Sequence, residues 1–116
     1  MNEIIDEQHR ICERYGAIWV PSPEHFKVGI SRDFDATQMP INGLRHPIQN
    51  DVTGWYIWSG KEMSSDPLFF VPLHVSHLDS REAKILKYLG LPPGWRFLFA
   101  GNHEDVWEDQ SLLLVD

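Results

Sequence analysis

The sequence predicts an α+β fold, an antiparallel β-sheet with one or two helices packed on it. Three observations predict it: short runs rich in β-branched and aromatic residues recur between turn signals, two stretches carry helical periodicity, and the spacing of the runs is hairpin-like. With 116 residues, 42% of them apolar, the chain is sized for a single domain over 1–116 with one core.

Asn2 is an N-cap candidate, since its side-chain oxygen accepts from the orphan amides of the next turn. Glu3, Asp6 and Glu7 then suit the positive end of a helix dipole. Ile4, Ile5, Ile11, Cys12 and Tyr15 recur at helical spacing, with Gln8 the one polar interruption, and Gly16 ends the helix. Ala17-Ile18-Trp19-Val20, stopped by Pro21 and Pro23, reads as a first strand and Lys27-Val28-Gly29-Ile30 as a second. From Ser31 to Thr53 there is little periodicity, and Pro40, Asn42-Gly43, Pro47 and Asn50-Asp51 read as turns in a long loop. Trp55-Tyr56-Ile57-Trp58, bounded by Gly54 and Ser59-Gly60, is the clearest strand. Asp66 to His77, interrupted by Pro67 and Pro72, fits neither period. Asp79 opens a second helix, with Glu82 completing a capping box; Leu78, Ile85 and Leu89 share a face, and Gly90 and Pro92-Pro93 end it. Trp95, Phe97 and Phe99 alternate along a strand and are expected on its inner face. Gly101-Asn102 turns the chain towards Val106-Trp107, and Ser111 to Val115 forms a last strand or a packed tail.

Seventeen Asp and Glu against ten Lys and Arg give a net charge of −7, which repels phosphate backbones and excludes autonomous nucleic-acid binding. The apolar runs fall far short of the ~20 residues a membrane helix needs, so no membrane partner is expected. The acidic first residues carry no signal-peptide pattern. A single cysteine, Cys12, excludes an internal disulfide framework or a multi-thiolate zinc site. Together these features fit a cytoplasmic protein, with Cys12 as a small core residue on the first helix.

The chemical motifs are sparse. His74 and His77 are three residues apart and share a face if helical, but a metal site needs three or four converging ligands; no metal and no cofactor is expected. These histidines with nearby acids define an alternative reading as a small hydrolase or metal-dependent enzyme. No Gly-x-Ser-x-Gly elbow or glycine-rich phosphate loop occurs. Five tryptophans define another alternative, a carbohydrate-binding module, although Trp55, Trp95 and Trp19 fall on expected strands where burial is the rule. The C-terminal region holds the one charge asymmetry. After Arg96 there is no Lys or Arg, while Glu104, Asp105, Glu108 and Asp109 surround Trp107. Acids around an aromatic anchor suit a basic protein partner, because charge steers the encounter and the buried ring supplies binding energy. These five residues are the candidate partner-binding site.

An ordered series of motifs spans most of the chain: Ile41-Asn42-Gly43-Leu44-Arg45-His46-Pro47, Gly54-Trp55-Tyr56-Ile57-Trp58-Ser59-Gly60, and Pro72-Leu73-His74-Val75 with His77-Leu78. It continues through Tyr88-Leu89-Gly90-Leu91-Pro92-Pro93-Gly94-Trp95-Arg96-Phe97-Leu98, Glu104-Asp105-Val106-Trp107 and Ser111-Leu112-Leu113. The series resembles a bacterial immunity-protein family, number thirty-three among those catalogued with polymorphic toxin systems. The resemblance, from about Lys27 to Leu113, implies a cytoplasmic protein that binds a cognate toxin and neutralises it by stoichiometric occlusion, without turnover. It carries over no catalytic or toxin-binding residue.

Overall fold

The computed structural model describes residues 3–60, 63–64, 66–81 and 83–114. Helix α1 (Glu3–Tyr15) is followed by strands β1 (Lys27–Ser31), β2 (Ile41–Arg45), β3 (Val52–Ser59) and β4 (Phe70–His74). Helices α2 (Val75–Arg81) and α3 (Ala83–Leu86), strands β5 (Trp95–Ala100) and β6 (His103–Glu108), and a 3-10 helix at Gln110–Leu113 complete it. The six strands form one sheet in the order β4-β1-β3-β2-β5-β6. The fold class is α+β as expected, but the sheet is mixed. β1 runs parallel to β3, with Lys27 opposite Val52 and Gly29 opposite Tyr56, while the other neighbours are antiparallel.

One face of the sheet carries the helices and the main core. Val28, Ile30, Ile41, Trp55, Ile57, Phe97 and Phe99 project from the strands against Ile11 and Cys12 of α1, Val75 and Leu78 of α2, and Ile85 and Leu86 of α3. α1 follows its expected bounds. Its first turn holds Glu3 and Asp6, its last turn Arg14, and the Ala17 amide bonds Cys12 O at 2.8 Å where the chain leaves it. Gln8 is buried because both ends of its amide are used: Nε2 donates to Leu86 O (2.9 Å) and Oε1 accepts from Trp19 Nε1 (3.0 Å). Cys12 is 3% exposed and packs as expected, with burial raising its thiol pKa. Ile5, by contrast, is exposed. Asn2, and Glu82 of the expected capping box, lie outside the described residues, as do Val115 and Asp116.

Several elements differ from expectation. Ala17–Val20 forms no strand; Ala17 and Trp19 pack against the main core, and the Val20 amide bonds to Gly90 O at 2.8 Å. The supposed loop of 31–53 contains β2, flanked on both sides by strands. Asn42 and Gly43 lie within it, for reasons of packing. A Cβ on Gly43 would overlap the Phe97 ring, and the Asn42 amide donates to Gly60 O at 2.7 Å, tying the end of β3 to β2. α2 begins at Val75, directly after β4, so Asp79 lies inside it, and the helical stretch ends at Leu86, short of Gly90. Leu78, Ile85 and Leu89 share the buried face as expected, each 0% exposed. Ser111 to Leu113 belongs to the 3-10 helix, which Asp109 caps by accepting from the Ser111 amide.

On the opposite face, Leu44, Trp58 and Leu112 form a second, smaller cluster with Tyr56, Phe69 and Phe70. Trp55 and Ile57 face the helices, whereas Tyr56 and Trp58 face away. An irregularity fixes this division: between its pairings with Lys27 and Gly29, β3 advances from Val52 to Tyr56, and Gly54 takes φ +92° within the bulge. A side chain at Gly54 would also run into His46 O.

Candidate functional site

β6 lies at one edge of the sheet and carries Glu104, Asp105, Trp107 and Glu108, with Asp109 just beyond it. The hairpin turn at Gly101-Asn102 sets the register: Phe97 faces Val106 and Arg96 faces Trp107. Because side chains alternate across a strand, the candidate residues divide between two faces. Glu104, Val106 and Glu108 share the helix side, while Asp105 and Trp107 share the opposite side with Arg96 and Leu98.

Their surroundings differ more than their charges do. Glu104 is held by the body of the protein. Its Oε2 accepts from Tyr15 Oη (2.6 Å) and Arg14 Nη1 (2.9 Å), and its Oε1 accepts from Tyr88 Oη (2.7 Å). Burial alone would raise its pKa, but the bonds from Tyr15, Tyr88 and Arg14 outweigh that and hold it below the usual carboxylate range. The two phenols move the other way, raised first by burial and then by the carboxylate, so they stay protonated donors. Asp105 is exposed, with its carboxylate 3.0 Å from the His103 ring. Glu108 is exposed. Asp109 accepts from the Ser111 amide and lies 3.4 Å from Arg96 Nη1, the hydroxyl of Ser111 leading the interactions that lower its pKa. Trp107 is 38% exposed, with the Arg96 guanidinium 5.4 Å from its ring centre. Asp105, Trp107, Glu108 and Asp109 thus remain at the surface, whereas Glu104 anchors β6 to α1 and to Tyr88. No local sequence signal marks it, because Glu104 and Glu108 flank the half-buried Val106 equally in the alternation.

Glu104 therefore carries a pH-dependent share of the stability. A carboxylate with a folded-state pKa below its unfolded value of about 4.3 stabilises the fold above that value, and the contribution is lost as pH falls through the folded pKa. Glu104→Gln is expected to lower stability at pH 7 by about 1–3 kcal/mol, the range for bonds to a charged group and for donors left unmatched. It should also flatten the acid limb below about pH 4.5. Urea unfolding of both proteins from pH 3 to 7 checks this; an unchanged acid limb would assign that limb to other carboxylates.

The alternative constellations are placed as follows. His74 ends β4, His77 lies in α2, and their rings meet edge to face at 5.7 Å. Among the described residues, no three His, Cys, Asp or Glu side chains converge as a metal cage requires. Of the tryptophans, Trp55 and Trp58 are buried and Trp19 and Trp95 half-buried; only Trp107 is exposed, so they form no stacking platform. A cleft of about 560 Å³ opens beside Glu104, but its lining mixes Lys84 and Lys87 with Glu7 and Glu104 and offers no single sign of charge. No described helix is long and apolar enough to cross a membrane.

A family model described as the Imm33-like domain matches residues 7–109, from within α1 to the end of the hairpin. No curated protein and no solved structure matches the chain.

Proposed function

The chain belongs to the Imm33-like family, and on that premise we propose that it is a cytoplasmic immunity protein that binds a cognate toxin and blocks it stoichiometrically, without turnover. The observation that carries this reading is the family match across nearly the whole fold, which implies a toxin as partner. The net charge of −7 favours a basic one. We assign its contact surface to the β6 region, with different roles for the five residues. Asp105 and Glu108 are exposed and attract the partner from a distance. Trp107 is an amphipathic anchor already stacked by Arg96. Glu104 and Asp109 hold the strand and the following turn in place.

The test takes any toxin domain encoded by a gene beside this one. Co-expression of the chain should restore growth to cells making that domain, and calorimetry should give one chain per toxin. Failure to protect against any adjacent toxin would overturn the reading. The charge roles predict a kinetic result. Asp105→Asn with Glu108→Gln should slow association with the toxin by about three- to tenfold at low salt and flatten its salt dependence, with dissociation little changed. Stopped-flow binding at two salt concentrations measures it; unchanged association would place the steering charges elsewhere.

A further inference from the structure

The sheet has two edges, and they are not equivalent. At β4 the edge is blunted by Pro72, which lacks an amide donor, and the strand passes straight into α2. At β6 the edge contains no proline, and among the described residues only β5 pairs with it. Gly101 has φ +58° at the first position of a two-residue turn, so Ala100 and His103 form the hydrogen-bonded pair that closes the hairpin. The antiparallel alternation then turns the backbone groups of His103, Asp105 and Trp107 towards β5, and those of Glu104, Val106 and Glu108 outwards.

We infer that β6 accepts an extended, basic segment of a partner protein as a seventh strand, main-chain bonds forming at Glu104, Val106 and Glu108. The proposal rests on the toxin-binding reading above and names how the partner docks. Charge selects this occupant over a second copy of the chain. Two β6 strands paired antiparallel about Val106 would set Glu104 of each against Glu108 of the other, and like charges directly opposite destabilise a ladder. A strand with Lys or Arg at alternate positions meets the same acids favourably, and its other face brings apolar side chains against Trp107. Glu104 is suited to this position because Tyr15, Tyr88 and Arg14 hold it ionised and fix the strand beneath it. Strand addition takes affinity from the backbone and specificity from alternate side chains.

The experiment uses the full chain and two ten-residue peptides, one alternating Lys and Val, the other Glu and Val. Amide exchange followed by NMR is expected to slow at least about tenfold at Glu104, Val106 and Glu108 with the Lys–Val peptide only. Glu108→Pro removes an outward donor without touching the β5 ladder and should weaken that peptide's binding at least about tenfold. Glu108→Lys, which retains the amide, should weaken it through charge and serves if the proline variant does not fold. Absence of Lys–Val binding, equal binding of the Glu–Val peptide, protection at other amides, or undiminished binding by folded Glu108→Pro would each overturn strand addition. Loss of cell protection would overturn the toxin reading while leaving these exchange results standing, so the two failures are distinguishable.

Discussion

Arg45→Met is expected to destabilise the fold by roughly 2–6 kcal/mol, the sum of about 1–3 for each of two buried carbonyls left without a donor. Arg45 is 0% exposed and, among the described residues, pairs with no carboxylate. Its guanidinium donates to backbone oxygens: Thr53 O (2.9 Å), Val20 O (2.9 Å), Leu91 O (2.7 Å), Pro21 O (3.1 Å) and, at 3.5 Å, Leu89 O. Burial lowers its pKa to about 10, still far above neutrality, so the group is charged at pH 7. The carbonyls do not depend on it equally. Leu89 O also accepts from Ser22 Oγ and Trp55 Nε1, and Val20 O and Pro21 O belong to half-buried or exposed residues. The loss therefore concentrates at Thr53 O and Leu91 O. Met matches the stem in volume and leaves both without a donor. Arg45→Lys should recover only part, because one ammonium cannot span carbonyls from three segments as the planar fork does. Against the 5–15 kcal/mol of a typical domain, this one side chain decides much of the stability. Urea midpoints measure it, and a change under about 1 kcal/mol would show that water replaces the guanidinium.

The same arginine shows which parts of the fold are legible in sequence. Local signals mark α1, β1, β3 and the β5–β6 hairpin, because each of these elements carries its own signal, from the helical stripe ending at Tyr15 to the alternation of Trp95, Phe97 and Phe99. β2 is hidden because its residues answer to distant neighbours. Gly43 makes room for Phe97, Asn42 serves Gly60 O, and Arg45 satisfies oxygens of the chain around Val20 and Leu91. Locally, Asn-Gly reads as a turn. The parallel β1–β3 pairing is hidden for a related reason, since β2 leaves the side of β1 and returns through β3, which inserts between them. Of the candidate site, the grouping of Trp107 with its neighbouring acids follows from the sequence, as a stretch without Lys or Arg. The inward role of Glu104 does not, because Tyr15 and Tyr88 reach it from 89 and 16 residues away.

Phe97→Ala is expected to cost roughly 3–5 kcal/mol, the range for removing a buried aromatic ring. Phe97 is 1% exposed; Tyr88 stacks on it at 4.7 Å between ring centres, and Trp55 lies at 5.4 Å. The third side of its site is the bare backbone of Gly43, its register partner on β2. That arrangement predicts a second variant of opposite character. Gly43→Ala places a methyl where the ring stands, and Tyr88 and Trp55 leave the ring no free direction to move, so overpacking should cost about 1–3 kcal/mol. In the double variant the methyl occupies part of the space the ring vacates. The two costs should then fall short of adding, by a coupling of about 1 kcal/mol or more, whereas independent sites add within a few tenths. Urea unfolding of the four proteins closes the cycle. Additive losses would mean that the ring does not rest on Gly43, and a change within ~0.5 kcal/mol for Phe97→Ala would place that side chain outside the core.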